Sequence, residues 1–299
     1  MQLNKKQDKS NVALNKAILL TPGLLLLIGI MAIPLVSAVV LSFYGGRGSN
    51  LYFCGFENYL SFFSDVHLQD AFVNTLIFVV LIVPTLIIVS FIVAVRITKL
   101  PNVKIQNMLC TLLYLPCITS PVAYTLFFKQ LAYPEGIMCD LFSFFGLYSP
   151  NGILSSIWSA RIYIALICIW ASFGFYTLLF TVAIQKVDQN IICAARIDGL
   201  SEFRIMRKIL IPMIKPIFSL VLVLSTCNVF QIYIEVALLT KGGPASSTST
   251  LTYYLYQCSF TFVSNYGYSA AIGVLILTIC IIISVILLSM ERKKHDCSK

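Results

Sequence analysis

The sequence predicts an all-α membrane protein of six transmembrane helices with both termini on the cytoplasmic side. Composition is the first observation: 59% of the 299 residues are hydrophobic and 11% are charged, where a soluble domain carries about 25% charged residues. The second is the length of the apolar runs. Residues 17–46, 71–95, 105–128 and 162–185 hold no Asp, Glu, Lys or Arg, residues 216–240 hold only Glu235, and a last run begins near Ala270. Each approaches or exceeds the roughly 20 residues of a helical span. The third is where the cations sit. Of the 21 Lys and Arg, all but Arg47, Lys129, Arg161 and Lys241 fall in segments this topology places inside, as the positive-inside rule requires. The net charge of +9 therefore reports membrane orientation rather than affinity for nucleic acid.

Taken in order, residues 1–15 form a polar, Lys- and Asn-rich cytoplasmic tail, with too little apolar surface to fold alone. The first run resembles a signal peptide but is about twice the length of a signal core, so it reads as an uncleaved anchor. Pro22 and Pro34 bend it, as membrane helices tolerate. An outer loop, 47–70, carries Tyr52, Phe53, Phe56 and Tyr59 at headgroup depth. Span two holds Pro84 at its middle. Span three holds Leu115-Pro116 and Ser120-Pro121 and should break near its centre. The outer segment 129–160 reads as loop and interfacial helix; its Phe142, Phe144, Phe145, Tyr148 and Trp158 fit an aromatic belt better than a sugar-stacking set. Span four covers 162–184, a charged loop follows, and span five covers 214–238. A Gly- and Ser-rich segment leads to span six, and 291–299 close the chain as a basic tail. The membrane domain is thus 16–290, with its cytoplasmic loop at 187–213.

Ten cysteines imply neither metal nor redox chemistry. No CxxC is present, and Cys110, Cys117, Cys168, Cys227 and Cys280 lie in spans, where Cys acts as a small apolar residue. Cys54, Cys139 and Cys258 share the outer side, and a disulfide among them stays open. No cofactor is expected. An enzyme would need clustered His, Asp or Glu at membrane depth, and the two His residues, His67 and His295, lie outside the spans.

The loop has its own helical logic. Residues 191–197 form a short helix in which Ala194 and Ala195 leave room for a partner surface. Asp198-Gly199 is a turn signal. Ser201 then caps a second helix, with Glu202 in its first turn where an acid suits the dipole. Phe203, Met206 and Leu210 make one apolar stripe, and Pro212 and Pro216 close this helix and start span five. A bland alternative is a basic interfacial helix that only touches anionic lipid.

Here the residues resemble a known family. Ala194-Ala195, Asp198-Gly199, then nine residues, then Ile209-Leu210-Ile211-Pro212 resemble the EAA loop of ABC-importer permeases. Gly55-Phe56-Glu57-Asn58-Tyr59, Asn74-Thr75, Tyr114-Leu115-Pro116, and Leu239-Thr240-Lys241-Gly242-Gly243-Pro244 followed by Thr250-Leu251 are similar to the sugar permeases of the maltose and glycerol-3-phosphate uptake class. The resemblance implies a type I ABC importer permease fold (MetI-like) in the cell membrane. It also implies partners: a second permease, two cytoplasmic ATPases and an extracytoplasmic solute-binding protein. It assigns Cys193, Ala194, Ala195, Asp198, Gly199, Phe203, Met206, Ile209 and Pro212 to docking on the ATPase. Cys193 stands where the family usually has Glu and cannot carry that charge. The absence of GxxxxGK[ST] agrees with ATP being hydrolysed on another subunit.

A substrate pathway is predicted in span five. An acid there costs roughly 2.5–3.5 kcal/mol on insertion scales and should face a wet interior. Asn228, Gln231 and Glu235 recur at i, i+3 and i+7, one face of a continuous helix with Ser225 at its edge, and suit hydroxyl-rich ligands. The bland alternative is hydrogen-bonded contact between helices. A stand-alone secondary transporter or channel would need more intramembrane ion ligands than this one acid.

Overall fold

The computed structural model describes residues 19–47, 50–134, 137–144, 152–261 and 265–296. Five helices there are long and apolar enough to span a bilayer, and a bent pair supplies a sixth span. In chain order they begin with α1 (Leu19–Leu41), a hairpin of β1 (Tyr44–Arg47) and β2 (Asn50–Phe53), and α2 (Glu57–Leu60). Next come α3 (Val66–Thr98), α4 (Val103–Ile118), α5 (Pro121–Leu131), α6 (Ile137–Phe144) and α7 (Ile157–Gln185). The cytoplasmic loop contributes α8 (Gln189–Ile197) and α9 (Glu202–Ile205), and α10 (Lys215–Phe230), α11 (Ile234–Leu239), α12 (Leu251–Tyr256) and α13 (Tyr266–Asp296) complete the chain. The residues form two compact units.

In the unit built on the residues up to Ser61 with Cys258–Leu275, α1 has no buried residue. Its exposed Leu and Ile suit an apolar surround, which provides no drive to fold them inward. Pro34 follows a π-helical turn, Leu27–Ala32, where the widened ladder absorbs its missing N–H. The hairpin pairs Tyr44 with Phe53 and Arg47 with Asn50, a strand element that helical periodicity did not predict. Gly46 makes it possible: its φ is +114°, and a Cβ there would stand 1.9 Å from the Asn50 carbonyl oxygen. The motif after it fastens this region together. Asn58 is buried and donates to the carbonyls of Ser42 at 2.8 Å and Tyr44 at 2.9 Å, satisfying acceptors beyond the end of α1. The Tyr59 and Ser42 hydroxyls lie 2.6 Å apart, and Phe43 packs on Phe56 and Tyr59. The Cys54 thiol meets the Phe43 carbonyl, and Cys139, in the other unit, meets that of Tyr133; neither forms a disulfide.

The other unit is organised on α3 and α7. Helix α3 starts at Val66, five residues before the apolar run, because Asp65 caps it by accepting from the N–H groups of His67 and Leu68. Pro84 sits inside it without ending it. Phe78, Ile82, Tyr163, Ile164 and Ile167 form one core, and Leu86, Phe91, Tyr176, Phe180 and Ile184 a second. Ser90 donates across to the Phe173 carbonyl at 3.1 Å. Helix α4 comes close to α7 at Gly174, where a Cβ would lie 1.8 Å from the Leu113 carbonyl oxygen. As expected from Pro116 and Pro121, span three breaks: α4 and α5 meet at 88°. Of the aromatic set, Phe142 is buried against Tyr163 while Phe144 and Trp158 are exposed. Phe145 and Tyr148 lie outside the described residues, as do the 1–15 tail and the last three residues of 291–299.

Candidate functional site

Span five is not one helix, and this corrects the single-face argument. Helix α10 ends at Phe230, Gln231, Ile232 and Tyr233 leave helical geometry, and α11 resumes at Ile234. The break frees carbonyls that must find donors at membrane depth. Two threonines supply them: Thr252 Oγ1 donates to Phe230 O and Thr250 Oγ1 to Ile232 O, each at 2.6 Å. These threonines belong to a chain reversal in which Lys241, Ala245 and Ser246 have positive φ. Thr248 spans it, bonding to the Gly243 carbonyl and the Thr240 hydroxyl, both at 2.7 Å. Helix α3 holds it from the side, through Thr75 Oγ1 accepting from Leu251 N and Asn74 Nδ2 donating to Ser246 O. Arg161 ties both, donating to Asn74 Oδ1 and Ser247 O. Three stretches far apart in sequence thus form one scaffold behind the broken helix.

In front of the break lies a cavity of about 430 Å³, within the size range of small-molecule sites. Ser225, Asn228, Gln231 and Glu235 all line it. The predicted polar set therefore converges, by way of the break rather than by helical spacing. Glu235 is 9% exposed, and its Oε1 accepts from the Tyr124 hydroxyl at 2.5 Å. Asn228 Nδ2 donates to the Tyr176 hydroxyl at 2.8 Å. Tyr114, Tyr124 and Tyr176 also line the cavity; Tyr114 entered the sequence reading only through the Tyr114-Leu115-Pro116 motif, and Tyr124 and Tyr176 were not singled out. Tyr124 carried a usable signal, since it follows the Ser120-Pro121 break by three residues. Tyr233 points elsewhere, against the rings of Tyr253 and Tyr256.

At the other end of this unit, α8 and α9 form the predicted pair of short helices, with Gly199 at φ +76° in the turn between them. Asp188 caps α8 by accepting from Asn190 N. Four details are corrected. Ala195 is buried among Ile192, Ile205 and Phe180, so of the alanine pair only Ala194 is exposed. Ser201 occupies the N-cap position but makes no capping hydrogen bond. The expected stripe does not act as one face: Leu210 is buried, Met206 half-buried and Phe203 64% exposed, while Ile205 takes the inner place. Pro212 does not close the helix. The π turn Met206–Leu210 accommodates it, helical structure runs on through Ile211–Met213, and Lys215–Phe230 restarts with Pro216 in its first turn. Ile209 is half-buried, and Cys193, Asp198, Gly199 and Pro212 are exposed.

Glu202 does more than favour the dipole. It accepts from Lys99 Nζ at 2.7 Å and from Arg196 Nε at 2.9 Å, joining the inner end of α3 to both loop helices. Hydrogen bonds from Lys99 and then Arg196 hold its carboxyl below the usual carboxylate range.

With this geometry in hand, similarity to known proteins is specific. Residues 60–295 match the family described as binding-protein-dependent transport system inner membrane component. The chain is similar to the lactose transport system permease protein LacF of Rhizobium radiobacter, with 30% identity over 94% of this chain and 95% of that protein. Its fold matches a bacterial ABC transporter that imports the acidic polysaccharide alginate, with a TM-score of 0.79, 20% identity, and coverage of 97% of this chain and 99% of that one. A structure of the alginate transporter in complex with its alginate pentasaccharide-bound periplasmic protein matches with a TM-score of 0.78 and 18% identity over 96% of each chain. The fold is that of an ABC importer permease, and the protein is a multi-pass component of the cell membrane. On the family match, the chain belongs to the binding-protein-dependent transport system inner membrane components.

Proposed function

We propose that this chain forms the translocation pathway of an ATP-driven importer of sugars or sugar derivatives and couples it to a cytoplasmic ATPase through the loop 187–213. The observation that carries the pathway is the convergence of Ser225, Asn228, Gln231 and Glu235 on one cavity beside a broken span. Carboxylate, amide and hydroxyl groups offer the donors and acceptors that a polyol needs. The lactose permease relative supports the sugar class, and the periplasmic protein in the alginate complex supports a solute-binding partner.

Coupling needs an element with two arrangements that both sites bias. The α8–α9 pair fits: it is packed on the inner ends of α3 and α7, tied to α3 through Glu202, and continuous in sequence with α10. Closure of an ATPase pair would draw two such loops together, this one and that of a second permease, and swing the spans around a shared cavity. Cys193, Ala194, Asp198 and Phe203 stand exposed for docking, with Cys193 giving a neutral contact. Ala195, Met206 and Ile209 shape the loop from within. The segments 1–15 and 291–299 act only as cytoplasmic tails.

Glu235→Ala tests the pathway. Uptake of labelled mono- and oligosaccharides is expected to fall at least tenfold while co-purification with the partner subunits is retained. Unchanged uptake kinetics would remove the assignment.

A further inference from the structure

The charge of the cavity wall narrows the ligand class, on the pathway reading above. Glu235 is the one acid on that wall, and no Lys, Arg or His lines it among the described residues. Tyr124 occupies Oε1, and Oε2 takes no hydrogen bond from any described residue. That oxygen is an open acceptor at a buried position beside the amides of Asn228 and Gln231. Lys129, a cation on α5, donates to the Leu238 carbonyl at 2.7 Å and lies off the wall.

We propose that the pathway selects against negative charge: it takes uncharged hydroxyl-rich ligands and excludes their uronic acids, with Glu235 as the specificity-determining residue. A ligand hydroxyl donates to Oε2, and neighbouring hydroxyls exchange hydrogen bonds with Asn228, Gln231 and Ser225. A ligand carboxylate in the same place meets a like charge in a site partly withdrawn from water. At 4–6 Å and an intermediate effective dielectric, that repulsion disfavours binding by roughly 100-fold. Specificity then comes from a built-in repulsive element as much as from attraction. The fold itself is shared with an importer of an acidic polysaccharide, so the exclusion is a property of these side chains and not of the architecture.

The test uses the assembled transporter in nanodiscs, without binding protein, so that the membrane site alone is read. Saturation-transfer NMR compares glucose with glucuronate and galactose with galacturonate. The native complex is expected to show the neutral sugars bound and the uronates at least tenfold weaker. Glu235→Gln, which keeps the shape and the oxygen that accepts from Tyr124 while removing the charge, should bring each uronate to within about threefold of its neutral partner. Gln231→Lys, an exposed cavity position with Glu235 retained, should also admit uronates and covers the case in which Glu235→Gln fails to assemble. Uronates bound as well as neutral sugars by the native complex would overturn the inference, as would exclusion that persists in an assembled Glu235→Gln and in Gln231→Lys. Failure of every sugar to bind would instead overturn the pathway reading beneath it.

Discussion

At Gly174 a single hydrogen in place of a side chain sets how closely two membrane helices approach. An added Cβ would overlap the Leu113 carbonyl at 1.8 Å, and backbone on both sides leaves nothing flexible to yield. Gly174→Ala is expected to destabilise the protein by about 1–3 kcal/mol through overpacking, read as a lower Tm of the detergent-solubilised complex. Asn58 is the counterpart in the other unit. Its amide satisfies two carbonyls, and Asn58→Leu leaves both without that donor, at a cost of about 1–3 kcal/mol. An unchanged Tm for Asn58→Leu would mean that other donors reach those oxygens.

Among the elements, the α10–α11 break depends on residues outside it. Thr250 Oγ1 is buried and bonded to the Ile232 carbonyl, so Thr250→Val preserves shape but orphans an acceptor, at about 1–3 kcal/mol. The same variant should disturb the cavity wall, and weakened sugar binding beyond the stability loss is its second readout. The α8–α9 pair behaves differently because its ion pairs are half exposed. Such pairs are each worth less than about 1 kcal/mol, so Glu202→Gln is expected to leave Tm nearly unchanged while loosening the connection between α3 and the loop. The measurement is substrate-stimulated ATP hydrolysis by the assembled complex, which should fall severalfold. The same bond has a pH signature. The folded carboxyl titrates below its ordinary value, so its contribution is full above the unfolded value near 4.5 and is lost as pH falls through the lower folded value.

For the whole molecule, orientation and partner contact are the decisive properties. Cys193 is exposed on α8, and in a background with the other cysteines replaced it becomes a single reporter. A membrane-impermeant maleimide should label it in inside-out vesicles and not in intact cells, and crosslinks from it should reach an ATP-hydrolysing partner. Labelling from the cell exterior would end the coupling proposal. Helix α1, which has no buried residue, has its apolar surface available to lipid.

The sequence by itself determined the class, the spans, the orientation and the order of the motifs, because these follow from composition, run length and cation placement, which are local quantities. It also placed the span-three break, since proline acts on its own helix. Only the tertiary structure decided how Asn228, Gln231 and Glu235 meet. Helical spacing put them on one face for a reason that does not hold, and the break that brings them to the cavity is stabilised by Thr250 and Thr252, whose bonds depend on a chain reversal held by Asn74, Thr75 and Arg161. The burial of Ala195, the bridging role of Glu202 and the Tyr124 contact to Glu235 were hidden for the same reason. Each depends on a partner distant in sequence, and no pattern along one helix records which neighbour will face it.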